Sequence, residues 1–257
     1  MTQAQNLADL SQAVTAGGLM FRNLLLNAGG RINQRGYVSG AATSGANQYT
    51  LDRWRVVTSG QNLAFALTSS AQTLTAPAGG LEQVIEGINI EGGTYCLAWT
   101  GTATATVNGN AVANGGNFTL PANTDATVRF SSGTVYQPQL ELGRRPTPFE
   151  RRSIGIEIAL CMRYFEALGV NGRNVYNQGA TGALMDVIFN TTKRVPPTLT
   201  YVGSMPAAEN TNTPTAVGLD RSRIDGGQLI WTGSGGPAVG TCGRMLNGGT
   251  LQFNAEL

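Results

Sequence analysis

The sequence predicts a mainly β protein. It comprises a short N-terminal helix, a β-sandwich or jelly roll, a linking helix and a small C-terminal β-sandwich. Three observations carry this reading. Short runs alternate apolar with polar or small residues along most of the chain, the period of half-buried strands. Gly, Asn and Pro punctuate these runs at near-regular intervals, as in sandwiches and barrels. One stretch near the middle, 154–168, has a helical period instead. The resulting division is 1–18 for the N-terminal helix, 19–143 for the first β domain, 144–168 for an Arg/Pro arm with the linking helix, and 169–257 for the second β domain.

The elements follow in order. In AQNLADLSQAVTA, residues 4–16, Leu7, Leu10 and Val14 form a narrow apolar stripe that ends at Gly17-Gly18. A helix this short is marginal alone and needs a surface to dock on. Leu63, Phe65 and Leu67 alternate with small residues, as do Tyr95, Leu97 and Trp99. Asn108-Gly109, between TATATV and NAVA, is a hairpin signal. Phe118 and Leu120, Val128 and Phe130, and then QLELG continue the pattern. Pro146 and Pro148 stiffen the arm. In the linking helix Ile158, Cys161, Met162, Phe165 and Leu168 share one face, with Ser153 as N-cap and Gly169 as stop. Beyond it, ALMDVIFN and TLTYVG read as strands, with TTKR a turn and Pro196-Pro197 at a strand start. Residues 204–216 read as a long polar loop. SRIDGGQLIWTG and RMLNGGTLQFNAEL read as two hairpins whose Asp225-Gly226-Gly227 and Asn247-Gly248-Gly249 supply positive φ. Leu251, Phe253, Ala255 and Leu257 alternate to the last residue.

Composition limits the chemistry. The 257 residues are 41% hydrophobic, enough for substantial cores, but only 12% charged. About 25% is usual for soluble domains, so the surface is covered by Ser, Thr, Asn, Gln and Gly. A net charge of +2 does not indicate a polyanion binder, and no basic stripe with interleaved aromatics marks a nucleic-acid surface. Lys193 is the only lysine. The arginine bias indicates packing and interface contacts through planar guanidinium groups. Histidine is absent, which removes the usual general base and metal ligand. Three cysteines, Cys96, Cys161 and Cys242, have no metal or redox spacing. MTQAQNLADL has no signal-peptide pattern, and no run approaches the ~20 apolar residues of a membrane span. A protein made in a cytoplasm, independent of disulfides and cofactors, is expected.

NLLLNAGGRINQRG, YTLDRWRV and QLELG…TPFERRSIGIEIALCMRYFEAL together resemble the entry and exit phrases of a β-sandwich domain of bacteriophage tail-fibre and related virion proteins. KRVPPTLTYVG is similar to the strand pair that follows there, and NLADLSQAV to the N-terminal segment of many fibre proteins. The resemblance covers most of the chain and is carried by the order of the phrases. It implies a jelly roll like that of carbohydrate-binding modules, a helical joint, a small β domain, and a homotrimer located in the virion tail. It also implies contact with tail or baseplate proteins and with a host-surface glycan. Some modules of this kind hold calcium, though no Asp-rich loop here demands it.

Candidate residues follow from both readings. Trp54 and Trp99 are expected in the core, with Asp52 paired to an arginine. Trp231 precedes the Gly-rich TGSGG turn and is either core or a stacking platform. With Asp220, Arg221, Asn210 and Asn212 it forms the candidate ligand set. Leu7, Leu10, Val14, Arg144, Arg145, Arg151 and Arg152 form the candidate assembly set, with Glu141 and Glu150 as arginine partners in this or a sister chain. Asp186, Glu209, Asp220 and Asp225 are the acids available for glycosidase-type chemistry, but the chain has no β-helix rungs and a non-enzyme is expected. A structural adaptor that docks one virion protein on another without host contact is the alternative function.

Overall fold

The computed structural model describes residues 21–68 and 71–257. The helix expected over 4–16, with Leu7, Leu10 and Val14, lies outside the described residues. The rest is mainly β, built from several antiparallel sheets and one helix among the described residues. The chain divides into two compact units, one extending to Ile158 and the other spanning Ala159–Leu257. The division falls inside the helix α1 (Ile154–Met162) rather than at 143 and 168.

The first unit is assembled around Asn27. This residue is buried, with φ at 51°, a left-handed conformation that Asn tolerates better than most side chains. Its Nδ2 donates to the carbonyls of Ile32 (2.8 Å) and Asp52 (2.9 Å), and its Oδ1 accepts from the Ile32 N–H (2.9 Å). Its own carbonyl accepts from the Trp54 indole N–H at 2.9 Å. The NLLLNAGGRI and DRW phrases therefore meet at one side chain. Trp54 is fully buried, and Asp52 accepts from the Gln34 backbone N–H (2.7 Å) and side-chain amide (2.8 Å).

Among the described residues of this unit there are eleven strands: β1 (Gln48–Tyr49), β2 (Arg55–Val56), β3 (Ala64–Thr68), β4 (Ala71–Ala76), β5 (Leu81–Ile85), β6 (Gly93–Thr100), β7 (Thr104–Val107), β8 (Asn110–Val112), β9 (Gly116–Leu120), β10 (Ala126–Ser131) and β11 (Gly133–Leu142). They form a six-stranded sheet, β1-β2-β5-β10-β7-β8, and a five-stranded sheet, β3-β4-β11-β6-β9. Both sheets bury alternate residues in one core. Val107, Val128 and Phe130 come from the first, and Leu74, Leu97, Trp99 and Leu140 from the second. The Trp99 ring meets Phe130 edge-on at 5.3 Å. Asn108 and Gly109, at φ 49° and 80°, make the expected two-residue turn between β7 and β8.

The arm folds back onto its own unit. The buried Glu141 carboxylate accepts from the Thr147 backbone N–H (2.7 Å) and hydroxyl (2.6 Å) and lies 3.8 Å from Arg22. Glu150 accepts from the backbone N–H groups of Phe21 and Asn23. The buried Arg152 reaches Glu150, Glu157 and the carbonyls of Asn23 and Leu25. Arg152 is thus a strut within the unit, whereas Arg144, Arg145 and Arg151 are exposed.

The second unit corrects four expectations. The helix ends at Met162, and residues 165–168 belong to strand β12 (Phe165–Gly169). Full pairing of Phe165–Gly169 with the chain's last strand outweighs the local helical period. The 204–216 stretch contains β16 (Ala207–Glu209) and the start of β17 (Thr213–Asp220). The turn from β17 into β18 (Gly226–Ser234) takes its positive φ at Arg221 (48°) instead of at Asp225-Gly226-Gly227. Finally, RMLNGGTLQFNAEL is no hairpin: β19 (Cys242–Leu246) and β20 (Thr250–Asn254) lie in different sheets. Asn247 and Gly248, at φ 46° and 150°, carry the chain between them. A Cβ on Gly249 would stand 2.0 Å from the Val202 carbonyl oxygen, so only glycine permits that approach.

With β13 (Asn174–Gly179), β14 (Gly182–Ile188) and β15 (Thr198–Val202), this unit forms a three-stranded sheet, β12-β20-β15, and a six-stranded sheet, β16-β19-β13-β14-β18-β17. The core contains Val175, Ala183, Met185, Val187, Leu229, Trp231, Met245, Leu251 and Phe253.

Candidate functional site

Alternation along the six-stranded sheet sends Val175, Met185, Val187, Leu229, Trp231 and Met245 inward. It necessarily sends their neighbours outward. Register then lines those neighbours up across the strands. Cys242 pairs with Tyr176, Tyr176 with Leu184, Leu184 with Ile230 and Ile230 with Gly218. This is a row of mainly apolar side chains, with Tyr176 47% exposed near its centre. At its end, a Cβ on Gly218 would meet nothing within 4 Å, so the surface is open there.

A polar row runs alongside. Glu209 pairs with Arg244 and Arg244 with Asn174, while Asp186 pairs with Gln228 and Gln228 with Asp220. Because Tyr176 lies opposite Leu184, Asn174 and Asp186 sit at the next matching positions and join the two triplets. The Gln228 side-chain amide donates to Asp186 Oδ1 at 3.0 Å. Three carboxylates and one guanidinium give the row a formal charge of −2, from Glu209, Asp186 and Asp220 against Arg244. The Gly-rich segment after β18 borders the aromatic: a Cβ on Gly240 would stand 3.8 Å from the Tyr176 hydroxyl.

Chemically, this surface sets an exposed phenol ring, which has an apolar face and a polar tip, beside a line of carboxylate and amide groups. It suits a ligand with an apolar C–H face and vicinal hydroxyls. Asp225 stands apart, paired with Arg223 at 3.2 Å. Among the described residues, no group of three or more His, Cys, Asp or Glu could hold a metal ion.

The expected ligand residues separate. Asp220 lies at the end of the polar row, and Arg221 stands beside it with 3.7 Å between their charged groups, both exposed. Trp231 is fully buried and its ring meets Tyr201 edge-on at 5.9 Å, so its face is not offered to a ligand. Asn212 is also fully buried, its Nδ2 3.5 Å from the Trp231 carbonyl. Asn210 is exposed, but its Nδ2 donates to the Cys242 carbonyl at 2.6 Å. These two asparagines pin the link from β16 to β17, together with Asn177, which donates to the Asn210 carbonyl (2.9 Å) and Thr241 (3.0 Å). Sequence reasoning missed Tyr176, Asn174, Gln228 and Arg244. The available signal was the parity of Tyr176 against Val175 and Asn177, which becomes readable only once one of these is known to be buried.

Cys242 gives the face a chemical handle. It is exposed, whereas Cys96 and Cys161 are buried. Burial, reinforced by Glu141, pushes the Cys96 thiol up to about 12. Treatment of the native protein with a maleimide at neutral pH is therefore expected to modify Cys242 alone, as read by peptide mass spectrometry; all three should react in denaturant.

No protein-family model matches the chain, and neither does any curated protein.

Proposed function

We propose that the protein is a non-enzymatic component of a phage tail fibre that binds a host-surface glycan as a homotrimer. The binding surface is the outer face of the six-stranded sheet in the second unit. The observation that supports this reading is the exposed Tyr176 flanked by Asp186, Asn174, Gln228 and Arg244. A tyrosine ring stacks on the C–H face of a sugar, while carboxylates and amides take its hydroxyls. Such contacts are weak singly, and three copies on one axis multiply them through effective concentration. The two facing sheets of the first unit fit the jelly-roll part of the reading, in which that unit is the spacer.

The test is labelling of candidate host cells with fluorescent protein, with mass measured by light scattering on the same sample. A trimer is expected to label cells. Tyr176→Ala is expected to weaken labelling at least about thirtyfold, as for a central aromatic anchor, and a bulky maleimide on Cys242 should weaken it too. Three exposed arginines, Arg144, Arg145 and Arg151, favour the adaptor as second reading. A trimer that labels no host strain but binds a purified tail or baseplate protein would replace the first reading with the second. A monomer would sink both.

A further inference from the structure

The first unit contains a cavity of about 370 Å³ whose lining includes Asn27, Arg31, Gln137, Phe149, Arg151 and Arg152. Its volume is in the range of small-ligand sites. The lining carries three guanidinium groups against one carboxylate, Glu157, a formal excess of +2.

Two of the arginines differ in an informative way. Arg152 is locked: its side chain is 5% exposed, and its terminal nitrogens are held by Glu157, Glu150 and two backbone carbonyls. Its Nε is nevertheless buried without a hydrogen-bond partner. Arg151 is exposed and makes no hydrogen bond or ion pair among the described residues. The cavity thus has one fixed positive group and one positive group at liberty to close on a ligand.

The backbone adds to this. The first intrahelical bond of α1 runs from the Glu157 N–H to the Ser153 carbonyl at 3.0 Å. The amides of the first turn, where Ser153 and Ile154 line the cavity, have no acceptor within the helix and favour negative charge. Gln137 reaches the cavity from an irregularity in β11, where pairing with β6 shifts register between Tyr136 and Gln139. Its φ of 52° is a conformation that Gln rarely adopts. Bulges of this kind re-aim a side chain. Phe149 and the exposed Ile154 supply an apolar wall.

We propose that this cavity binds an oxyanion carried on a monosaccharide-sized ring, a sugar carboxylate or a sugar phosphate. The oxyanion meets Arg151, Arg152 and the first turn of α1, and the ring lies against Phe149. This site belongs to the other unit from the Tyr176 face and stands or falls independently of it.

The test is titration of the full chain with glucuronate, glucose 6-phosphate, glucose and inorganic phosphate at constant ionic strength, followed by calorimetry and amide NMR. Glucuronate, glucose 6-phosphate or both should bind and shift the amides of residues 151–157, while glucose should not. Arg151→Gln should weaken binding by about tenfold or more, as for loss of a charge-assisted contact. Arg151→Lys should retain part of the affinity, and Tyr176→Ala all of it. Absence of binding by both charged sugars would overturn the proposal. So would equal binding of glucose, binding of inorganic phosphate as tight as that of the charged sugars, or indifference to Arg151→Gln in a variant with unchanged circular dichroism.

Discussion

Lys193→Met is expected to destabilise the second unit by about 3–5 kcal/mol, the loss typical when one partner of a buried ion pair is removed. Lys193 and Glu166 are both fully buried, and the ammonium donates to the Glu166 carboxylate and to the Met162 carbonyl. Burial pushes the Lys193 ammonium down from its ordinary range, and Glu166 pulls it back up. Glu166 also accepts from the Asn190 backbone N–H at 3.2 Å and from its side-chain amide. The ammonium lies 4.8 Å from the centre of the Phe189 ring. A methionine fills the same volume but leaves the Glu166 charge buried without its cation. Urea unfolding monitored by tryptophan fluorescence would report the loss. The double variant Lys193→Met/Glu166→Leu is expected to recover more than half of it, because two desolvated charges disappear together. A double variant as unstable as the single one would mean that the pair contributes through packing alone. As this is the only lysine in the chain, amine acylation gives a second readout: Lys193 should resist it natively and react after unfolding.

The same pair explains why the helix was over-extended from sequence. In CMRYFEAL, Cys161, Met162, Phe165 and Leu168 have helical spacing, and nothing local forbids another turn. The Met162 carbonyl is instead taken by Lys193, thirty-one residues further on, and a cation at a helix C-terminus is a favourable end. The strand that follows finds its partner in β20, at the other end of the unit. Strands and short turns were legible because their signals are local: Asn108-Gly109 needs only its own positive φ, and Tyr95, Leu97 and Trp99 need only the period. The sheet order β16-β19-β13-β14-β18-β17 is not local. It assembles Glu209, Arg244, Asn174, Asp186, Gln228 and Asp220 into one row, one residue from each of six strands. In GGQLIWTGS both parities carry apolar residues, Leu229 and Trp231 on one side and Ile230 on the other. Which side faced the core could not be read from that strand alone, and the candidate site depended on it.

Trp231 supplies the sharpest separation of fold from binding. Trp231→Ala is expected to destabilise the second unit by about 3–5 kcal/mol, the range for deleting a large buried aromatic. The residue is fully buried on β18, a strand paired on both sides, with β14 and β17. Trp231→Phe should behave differently. The indole Nε1 is buried without a partner among the described residues, and an unsatisfied buried donor costs about 1–3 kcal/mol. Phenylalanine removes that donor while leaving a smaller void, so the two effects oppose and the net change should stay below about 1.5 kcal/mol. If the Tyr176 face binds glycan, Trp231→Phe keeps cell labelling at wild-type level, whereas Tyr176→Ala keeps stability and loses labelling. Loss of labelling in a stably folded Trp231→Phe variant would place the ligand against the inner layer of the sheet and overturn the assignment of the outer face. Measuring both variants by urea unfolding and by cell labelling separates these outcomes, because Tyr176 and Trp231 lie on opposite faces of one sheet.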